Sequence, residues 1–286
     1  MRLALGTGSL TTSGFNLDRC LETAEELGFE FLDLWIDREN LWPLGLKREQ
    51  KEETIEKISQ RGLKVVSTCP ILFKTVDWKD FEYEFNLAHP DELERRKAVD
   101  FVKGCMELSR ALQSTTMLVL PGKVDQPDFI KSKVPYRAYF AQAVKSLKEC
   151  AEHASQFELT LGVENAVVGN LADTPGEMHR LLSAVNSERV KAYVDTANAN
   201  VFYPPEEYLE VLEGKLVNCV HVSDNDGTRP DHLPVGMGRI DFPRFLKKLK
   251  NSNWDGYLVL ETFYAENPTA GLKMSKERLS KIMEEI

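Results

Sequence analysis

Residues 216–242 read LVNCVHVSDNDGTRPDHLPVGMGRIDF, and this stretch spans one complete unit of the fold that the sequence predicts. It begins with an apolar run, residues 216–222, which is typical of a buried strand. A polar loop with a histidine, several acids and a Gly-x-Gly turn follows, and a helix is expected to begin near Asp241. A polar loop of about twenty residues is uncommon inside a compact domain unless it has a function. The stretch therefore predicts a strand, a functional loop and a helix, in that order.

The same alternation of apolar and amphipathic runs occurs eight times along the 286 residues. It predicts parallel strands that are covered by helices, which places the chain in the α/β class. Eight such units fit one (β/α)8 TIM barrel, a single domain that covers residues 1–286. The alternative is a doubly wound open sheet, but Gly6-Thr7-Gly8 lacks the third glycine and the immediate helix of a nucleotide-binding motif. The predicted strands are residues 3–6, 31–36, 63–68, 115–120, 159–164, 190–194, 216–222 and 257–262.

One long segment, about residues 70–89, is inserted between the third strand and the third helix and is rich in aromatic residues. It includes Phe73, Trp78 and Phe85. A segment of this kind is a candidate for a lid over a site, and packing in the core or in a dimer is an equal alternative.

Composition limits the classes of partner that we expect. The net charge is −9, which disfavours nucleic acid because phosphates are normally met by clusters of Lys and Arg. No apolar run approaches the roughly 20 residues of a membrane span, and no signal-peptide pattern follows Met1. Five cysteines without a Cys-x-x-Cys pair suggest reduced, buried thiols. We therefore expect a cytoplasmic protein with no nucleic acid and no membrane partner, and a homo-oligomer stays open.

Four consecutive strands, the fifth to the eighth, each deliver one ligand-type side chain at their carboxyl ends: Glu164, Asp195, His221 and Glu261. In a barrel these ends form the working face, so we expect the four side chains to meet. Each of them alone is more typical of a loop or capping residue. Together, three carboxylates and an imidazole suit Mn²⁺, Mg²⁺ or Co²⁺ with open positions better than a closed zinc site. A cation would also relieve the repulsion between the carboxylates.

The residues around these strand ends resemble the xylose isomerase-like superfamily, a group of TIM barrels that includes sugar and sugar phosphate isomerases and epimerases. The resemblance covers most of the chain. Its motifs are Val163-Glu164-Asn165, Val194-Asp195-Thr196, Leu260-Glu261, and the blocks 221–224 and 231–242, of which the last is the most specific.

The resemblance implies a divalent cation, most often Mn²⁺ with Mg²⁺, Co²⁺ or Zn²⁺ as alternatives, bound by Glu164, Asp195, His221 and Glu261. It also implies that Glu164 and Glu261 are the catalytic acid and base. One would remove a proton next to a carbonyl, giving a metal-stabilised enediolate, and the other would return a proton. The implied protein is a divalent-metal-dependent isomerase or epimerase that acts on a ketose, a sugar phosphate or a related polyol.

Further site residues follow from the same resemblance. His232 matches a family histidine that binds metal or substrate in some members. Asn198 stands where many members have a histidine, and we expect it to hydrogen-bond a substrate hydroxyl. Arg229 is expected to reach a substrate oxygen or phosphate, with a solvated loop arginine as the equal alternative. The candidates for substrate binding are thus Trp35, Asn198, Arg229 and His232, and those that would orient the loop or support the ligands from behind are Asp224 and Asn225.

Three other functions stay open. A metal-dependent lyase that dehydrates an inosose or 3-dehydroshikimate also begins with proton removal next to a carbonyl. An endonuclease like the three-zinc apurinic-site enzymes is disfavoured, because Cys69-Pro70 and Leu120-Pro121-Gly122 lack the histidines those enzymes use at the corresponding strand ends. A carbohydrate-binding barrel without turnover is the third alternative.

Overall fold

A computed structural model describes residues 1–74, 82–124, 134–166, 169–212 and 214–286. Eight parallel strands form a closed barrel in chain order, with β1 paired to both β2 and β8. The predicted TIM barrel is confirmed. The strands are β1 (Arg2–Gly6), β2 (Phe31–Ile36), β3 (Lys64–Pro70), β4 (Thr116–Val119), β5 (Thr160–Glu164), β6 (Val190–Asp195), β7 (Leu216–Val222) and β8 (Tyr257–Leu260).

Helices follow the strands around the outside of the barrel. Each of the larger ones buries an apolar face, and a capping residue often fixes its start. One helix start has a capping box: the Thr174 hydroxyl accepts a hydrogen bond from the Glu177 N–H, and the Glu177 carboxylate accepts one from the Thr174 N–H. The described helices are α1 (Gly8–Thr11), α2 (Leu17–Glu26), α3 (Arg48–Gln60), α4 (Glu92–Ala111), α5 (Tyr136–Ala154), α6 (Pro175–Val185), α7 (Thr196–Asn200), α8 (Pro205–Val211), α9 (Phe242–Asn251) and α10 (Pro268–Glu285). Not one of them is long and apolar enough to cross a membrane.

Two short helices, α1 and α7, differ from the sequence prediction. The expectation that no helix follows Gly6-Thr7-Gly8 directly was wrong, since α1 begins at Gly8. Both helices are too short to show an amphipathic period, so the pattern could not reveal them. Their position matters, because each begins at the carboxyl end of a strand and so lies beside the working face of the barrel.

The aromatic insertion does not have a single role. Phe85 stacks on Phe101 of α4 at a centroid distance of 4.0 Å, so it belongs to the core. Phe73 and Tyr83 form an antiparallel bridge with their rings 4.7 Å apart, and both line the cavity described below. Trp78 and Phe81 lie outside the described residues, so the lid hypothesis stays a prediction. The five cysteines are all buried and unpaired, as expected.

Candidate active site

The four predicted ligand residues meet at the carboxyl ends of β5 to β8. Glu164 and Asp195 are the last residues of their strands, His221 is the penultimate residue of β7, and Glu261 follows β8 directly. One ligand atom from each residue lies within 4.8 Å of all the others, and all four side chains are buried. The parallel register accounts for this, because Asp195 pairs directly with His221 across two neighbouring strands. We call these four residues the cluster.

His221 stands at the centre of the cluster. Its Nδ1 lies 2.9 Å from Glu164 Oε1, 3.2 Å from Glu261 Oε2 and 3.9 Å from Asp195 Oδ2. Burial alone would lower the pKa of His221, but the nearby carboxylates outweigh it and raise that pKa well above its usual value. The raised pKa reflects the attraction between a proton on His221 and the carboxylates around it.

The cluster fits a divalent cation in its geometry and its donor set. Asp195 Oδ2 is buried and accepts no hydrogen bond from a described residue, although His232 Nε2 lies 3.5 Å away. Burial raises the pKa of Glu164, and it raises that of Glu261 to about 7, against the opposing effect of His221. A cation would lower the pKa of these carboxyl groups and compete with a proton for His221. Carboxylate oxygens with one imidazole are the donors that Mn²⁺ and Mg²⁺ prefer.

Asp33 is a site residue that the sequence analysis missed. It lies in β2, is fully buried, and places Oδ2 3.5 Å from His221 Nε2 while its other oxygen accepts a hydrogen bond from Ser67. Asp33 thus faces one ring nitrogen of His221, and the second nitrogen faces the carboxylates of the cluster. An outer carboxylate of this kind fixes the ring orientation of a ligand histidine. The signal was present in the sequence, as a single acid inside the otherwise apolar run FLDLWI.

Asp195 is held through its backbone as well as its side chain. The Asn165 amide donates to the Asp195 carbonyl at 3.0 Å and accepts the Asp195 N–H at 2.7 Å. Asp195 Oδ1 in turn accepts the Asn198 N–H at 2.6 Å, which caps α7. One oxygen of this carboxylate is therefore committed to the helix, and Oδ2 points to the cluster.

His232 joins the site from the loop after β7. It donates from Nδ1 to the Pro230 carbonyl at 2.9 Å, which leaves Nε2 3.5 Å from Asp195 Oδ2 and 3.6 Å from Glu261 Oε2. Burial would lower its pKa, but the Asp195 carboxylate dominates and raises the pKa of His232 to about 9. The structure thus places His232 beside the predicted ligands, within reach of both a cation and a substrate.

Asp224 and Asn225 order the loop between β7 and α9. The Asp224 carboxylate accepts backbone N–H groups of Gly236, Gly238 and Ile240 at 2.8 to 3.1 Å. Asn225 donates to the Ala197 carbonyl at 2.7 Å and so links this loop to α7. Both side chains thus bond to backbone groups of this loop or of α7, and their expected role in supporting the site stays a prediction.

A cavity opens above the cluster on the carboxyl face of the barrel. Its wall is mainly apolar, and the polar exceptions come from the cluster and from a few loop residues. Arg229 is not part of it: its side chain is 75% exposed and pairs with Asp231, so its predicted contact with substrate gains no support. The described lining residues are Trp35, Cys69, Pro70, Ile71, Phe73, Tyr83, Leu118, Leu120, Lys123, Glu164, Ala166, Asn170, Asn198, His232, Glu261 and Phe263.

Trp35 forms part of this wall and also touches the cluster. Its indole Nε1 donates to Glu261 Oε1 at 3.3 Å, and its backbone N–H donates to the Thr7 hydroxyl at 2.9 Å. The ring lies against α1, where a Cβ added at Gly8 would come within 2.0 Å of it. Trp35 was a candidate for substrate binding in the sequence, and the structure adds its hydrogen bond to Glu261.

Comparison with known proteins agrees with this geometry. The chain is 22% identical to fructoselysine 3-epimerase of Escherichia coli O157:H7 over 94% of both chains. It is 24% identical to L-ribulose-5-phosphate 3-epimerase UlaE of Salmonella heidelberg strain SL476, over 90% of this chain and 86% of that one. The crystal structure of a D-tagatose 3-epimerase-like protein superposes with a TM-score of 0.82 at 21% identity, covering 100% of this chain and 99% of the other.

The model of one protein family matches residues 21–282, which is most of the chain and includes every residue of the cluster. The resemblance inferred from the strand-end motifs is therefore confirmed, and the chain belongs to the xylose isomerase-like TIM barrel family.

Proposed function

We propose that this protein is a divalent-metal-dependent epimerase or isomerase of a ketose or sugar phosphate. One observation carries the proposal. Of the four cluster residues, Glu164 and Glu261 line the cavity, whereas Asp195 and His221 are not among its lining residues. The two glutamates, at the ends of β5 and β8, are therefore the cluster residues that we expect to touch a substrate.

Two carboxyl groups that face one cavity can exchange protons with a bound ketose. One glutamate, as carboxylate, takes the proton from the carbon next to the carbonyl. The electron pair of that C–H bond forms a C=C bond, and the π pair of the carbonyl moves to its oxygen. The other glutamate, as carboxylic acid, returns a proton to the same carbon from the opposite face, which inverts it. Burial raises the pKa of both carboxyl groups above its usual value, which favours the protonated form that the acid requires, and a bound cation would oppose that rise.

Glu164, Asp195, His221 and Glu261 would hold the cation, with His232 next to them. A bound divalent cation would polarise the substrate carbonyl and stabilise the negative charge that develops on its oxygen. His221 would contribute through Nδ1, because Asp33 faces its other nitrogen.

The rest of the cavity suits a small polyol. Trp35 and Phe263 pack edge to face with their centroids 6.2 Å apart and offer an apolar surface to the C–H face of a sugar. Asn198 and His232 supply polar groups on the same wall for substrate hydroxyls. Relatives named as sugar 3-epimerases over nearly the whole length support this assignment.

The test is proton exchange in D₂O, followed by proton NMR on a panel of ketoses and their phosphate esters with Mn²⁺-loaded protein. We expect deuterium to enter the carbon next to the carbonyl of at least one sugar, together with formation of its epimer or isomer. Protein treated with a chelator should show neither and should recover when Mn²⁺ is restored. Absence of exchange with every sugar in the metal-loaded protein would contradict the proposal, and loss of water from an inosose or 3-dehydroshikimate would support the lyase instead.

A further inference from the structure

We infer that Lys123 and Asn170 form a subsite for an anionic substituent, a phosphate or a carboxylate, on the far end of the substrate. The inference rests on the proposed function and specifies its substrate class. Both residues line the same cavity as Glu164 and Glu261. The glutamates sit at strand ends, whereas Lys123 and Asn170 lie in the loops beyond β4 and β5.

The subsite is built on a fixed backbone. Lys123 and Asn170 form an antiparallel bridge that joins the two loops. Asn86 then holds Lys123 from the other side, accepting its N–H at 3.3 Å and donating to its carbonyl at 3.0 Å. The side chains therefore start from defined positions, as a recognition site requires.

Gly122 makes this close packing feasible. Its φ of +95° is readily adopted only by glycine, and a Cβ there would lie 2.3 Å from Asn86 Oδ1 and 2.6 Å from the Ala88 nitrogen. The backbone at Lys123 is thus set by a contact that no other residue type at position 122 would permit.

The chemistry of this end of the cavity is that of hydrogen-bond donors. The Lys123 ammonium lies 5.8 Å from the centre of the Tyr83 ring, and the Tyr83 hydroxyl donates to Asn170 Oδ1. That bond orients the Asn170 amide, whose nitrogen is a donor only. Among the described residues that line the cavity, Lys123 carries the only permanent positive charge, and the carboxylates belong to Glu164 and Glu261. A cavity lined by these donors as well as by the two glutamates suits a ketose that also carries an anionic group.

Lys123 is proposed here for the contact that was one of two expectations for Arg229. Arg229 was expected either to reach a substrate oxygen or phosphate or to be a solvated loop arginine, and its side chain is exposed and pairs with Asp231. Lys123 could not be identified from the sequence, because it is one lysine in a polar loop and only the folded barrel places it at the cavity.

The experiment compares a ketopentose, its 5-phosphate and a ketose that ends in a carboxylate, each assayed with the Mn²⁺-loaded protein and its Lys123→Met and Lys123→Arg variants. For the preferred anionic sugar, we expect Lys123→Met to lower kcat/KM by about 10- to 100-fold, chiefly through KM, since a hydrogen bond to a charged group is lost. The uncharged ketopentose should change by less than about 2-fold, and Lys123→Arg should restore most of the loss. Whichever anion shows the effect identifies the substituent.

Lys247→Met is the matched control, because Lys247 is exposed on α9, outside the cavity, and its loss changes the net charge equally. Equal losses for charged and uncharged sugars, or an equal loss in Lys247→Met, would overturn the inference and leave the proposed function standing. If no sugar is turned over, titration of the ketopentose 5-phosphate and of inorganic phosphate by calorimetry decides. Binding weakened in Lys123→Met alone supports the subsite, and binding unchanged by the substitution rejects it.

Discussion

The two halves of the barrel carry different chemistry at their carboxyl ends. Strands β5 to β8 end in the acids and the histidine of the cluster. Strands β1 to β4 offer the cavity mostly apolar surface, such as Trp35, Ile71 and Leu118. The charged exceptions among the described residues are Asp33, which lies 3.5 Å from His221 but does not line the cavity, and Lys123 in the loop beyond β4. The strand ends of one half therefore supply the acids and the histidine, and those of the other supply mainly apolar surface, so substitutions in the two halves should change different properties.

Removing charge from the acidic half should have the largest effect. Glu164→Gln and Glu261→Gln each keep the size of the side chain but remove a proton-transfer group and a charged ligand. We expect kcat to fall by about 10²- to 10⁴-fold in each, the range for loss of a general acid or base. Steady-state kinetics and metal analysis of the purified variants would measure this.

Glu206→Gln is the control. Glu206 is also buried, at the start of α8, but it pairs with Arg244 of α9. This variant should keep its metal and its activity. Full activity and full metal content in both cluster variants would show that neither glutamate transfers the proton or binds the metal.

Asp33→Asn tests the connection between the halves. The amide keeps the shape but can no longer hold His221 Nε2–H as a carboxylate does, so we expect Mn²⁺ affinity to fall by about 10- to 100-fold. Calorimetric titration of the metal measures this without any substrate.

Asp37→Asn is the matched control for that titration, since Asp37 follows the same strand but accepts hydrogen bonds from Glu39 and Asn40 instead. An affinity for Mn²⁺ that is the same in Asp33→Asn as in the unaltered protein would show that the apolar half plays no part in holding the ion.

Trp35→Phe tests the contact between the apolar surface of β1 to β4 and the cluster, where Trp35 donates to Glu261. Phenylalanine keeps the apolar wall but removes the indole N–H that donates to Glu261, so we expect kcat/KM to fall by about 5- to 10-fold, the worth of roughly one hydrogen bond. Trp42→Phe should leave kcat/KM unchanged, because Trp42 packs on Phe85 and Phe101 outside the cavity lining. A loss in Trp35→Phe no larger than that in the control would mean that the wall contributes shape alone.

The smallest effect concerns Asp173, a buried acid of the charged half that is not part of the cluster. Burial, with help from Glu177, raises its pKa to about 8. The folded chain therefore holds this proton more tightly than the unfolded chain, and the resulting stability is lost as pH rises from about 4 to about 8. Asp173→Asn cannot ionise, so it should lack the part of this loss that Asp173 contributes, and its stability should fall less between these pH values than that of the unaltered protein.

Urea denaturation at pH 5 and pH 8.5 on the unaltered protein and on Asp173→Asn would measure the difference. The same pH dependence in both proteins would contradict the prediction.

Much of the fold was predictable because each strand is a mainly apolar run and each larger helix has an amphipathic period. The cluster was predictable for a related reason: Glu164, Asp195, His221 and Glu261 each end such a run. Asp33 was missed because it lies inside a run that otherwise reads as core. The sequence could not distinguish Lys123 from Arg229 as a cavity residue. Both are loop residues, and which of them faces the cavity depends on contacts between loops that are distant in sequence.

The contact between Gly8 and Trp35 has an evolutionary consequence. Any side chain at position 8 would displace the indole that lies over it, and with it the donor to Glu261. Relatives that keep a large aromatic residue at position 35 should therefore keep glycine at position 8, whereas those with a small residue at 35 are free to vary at 8. The two positions should change together across the family, and the pair would mark the relatives that share this cavity wall.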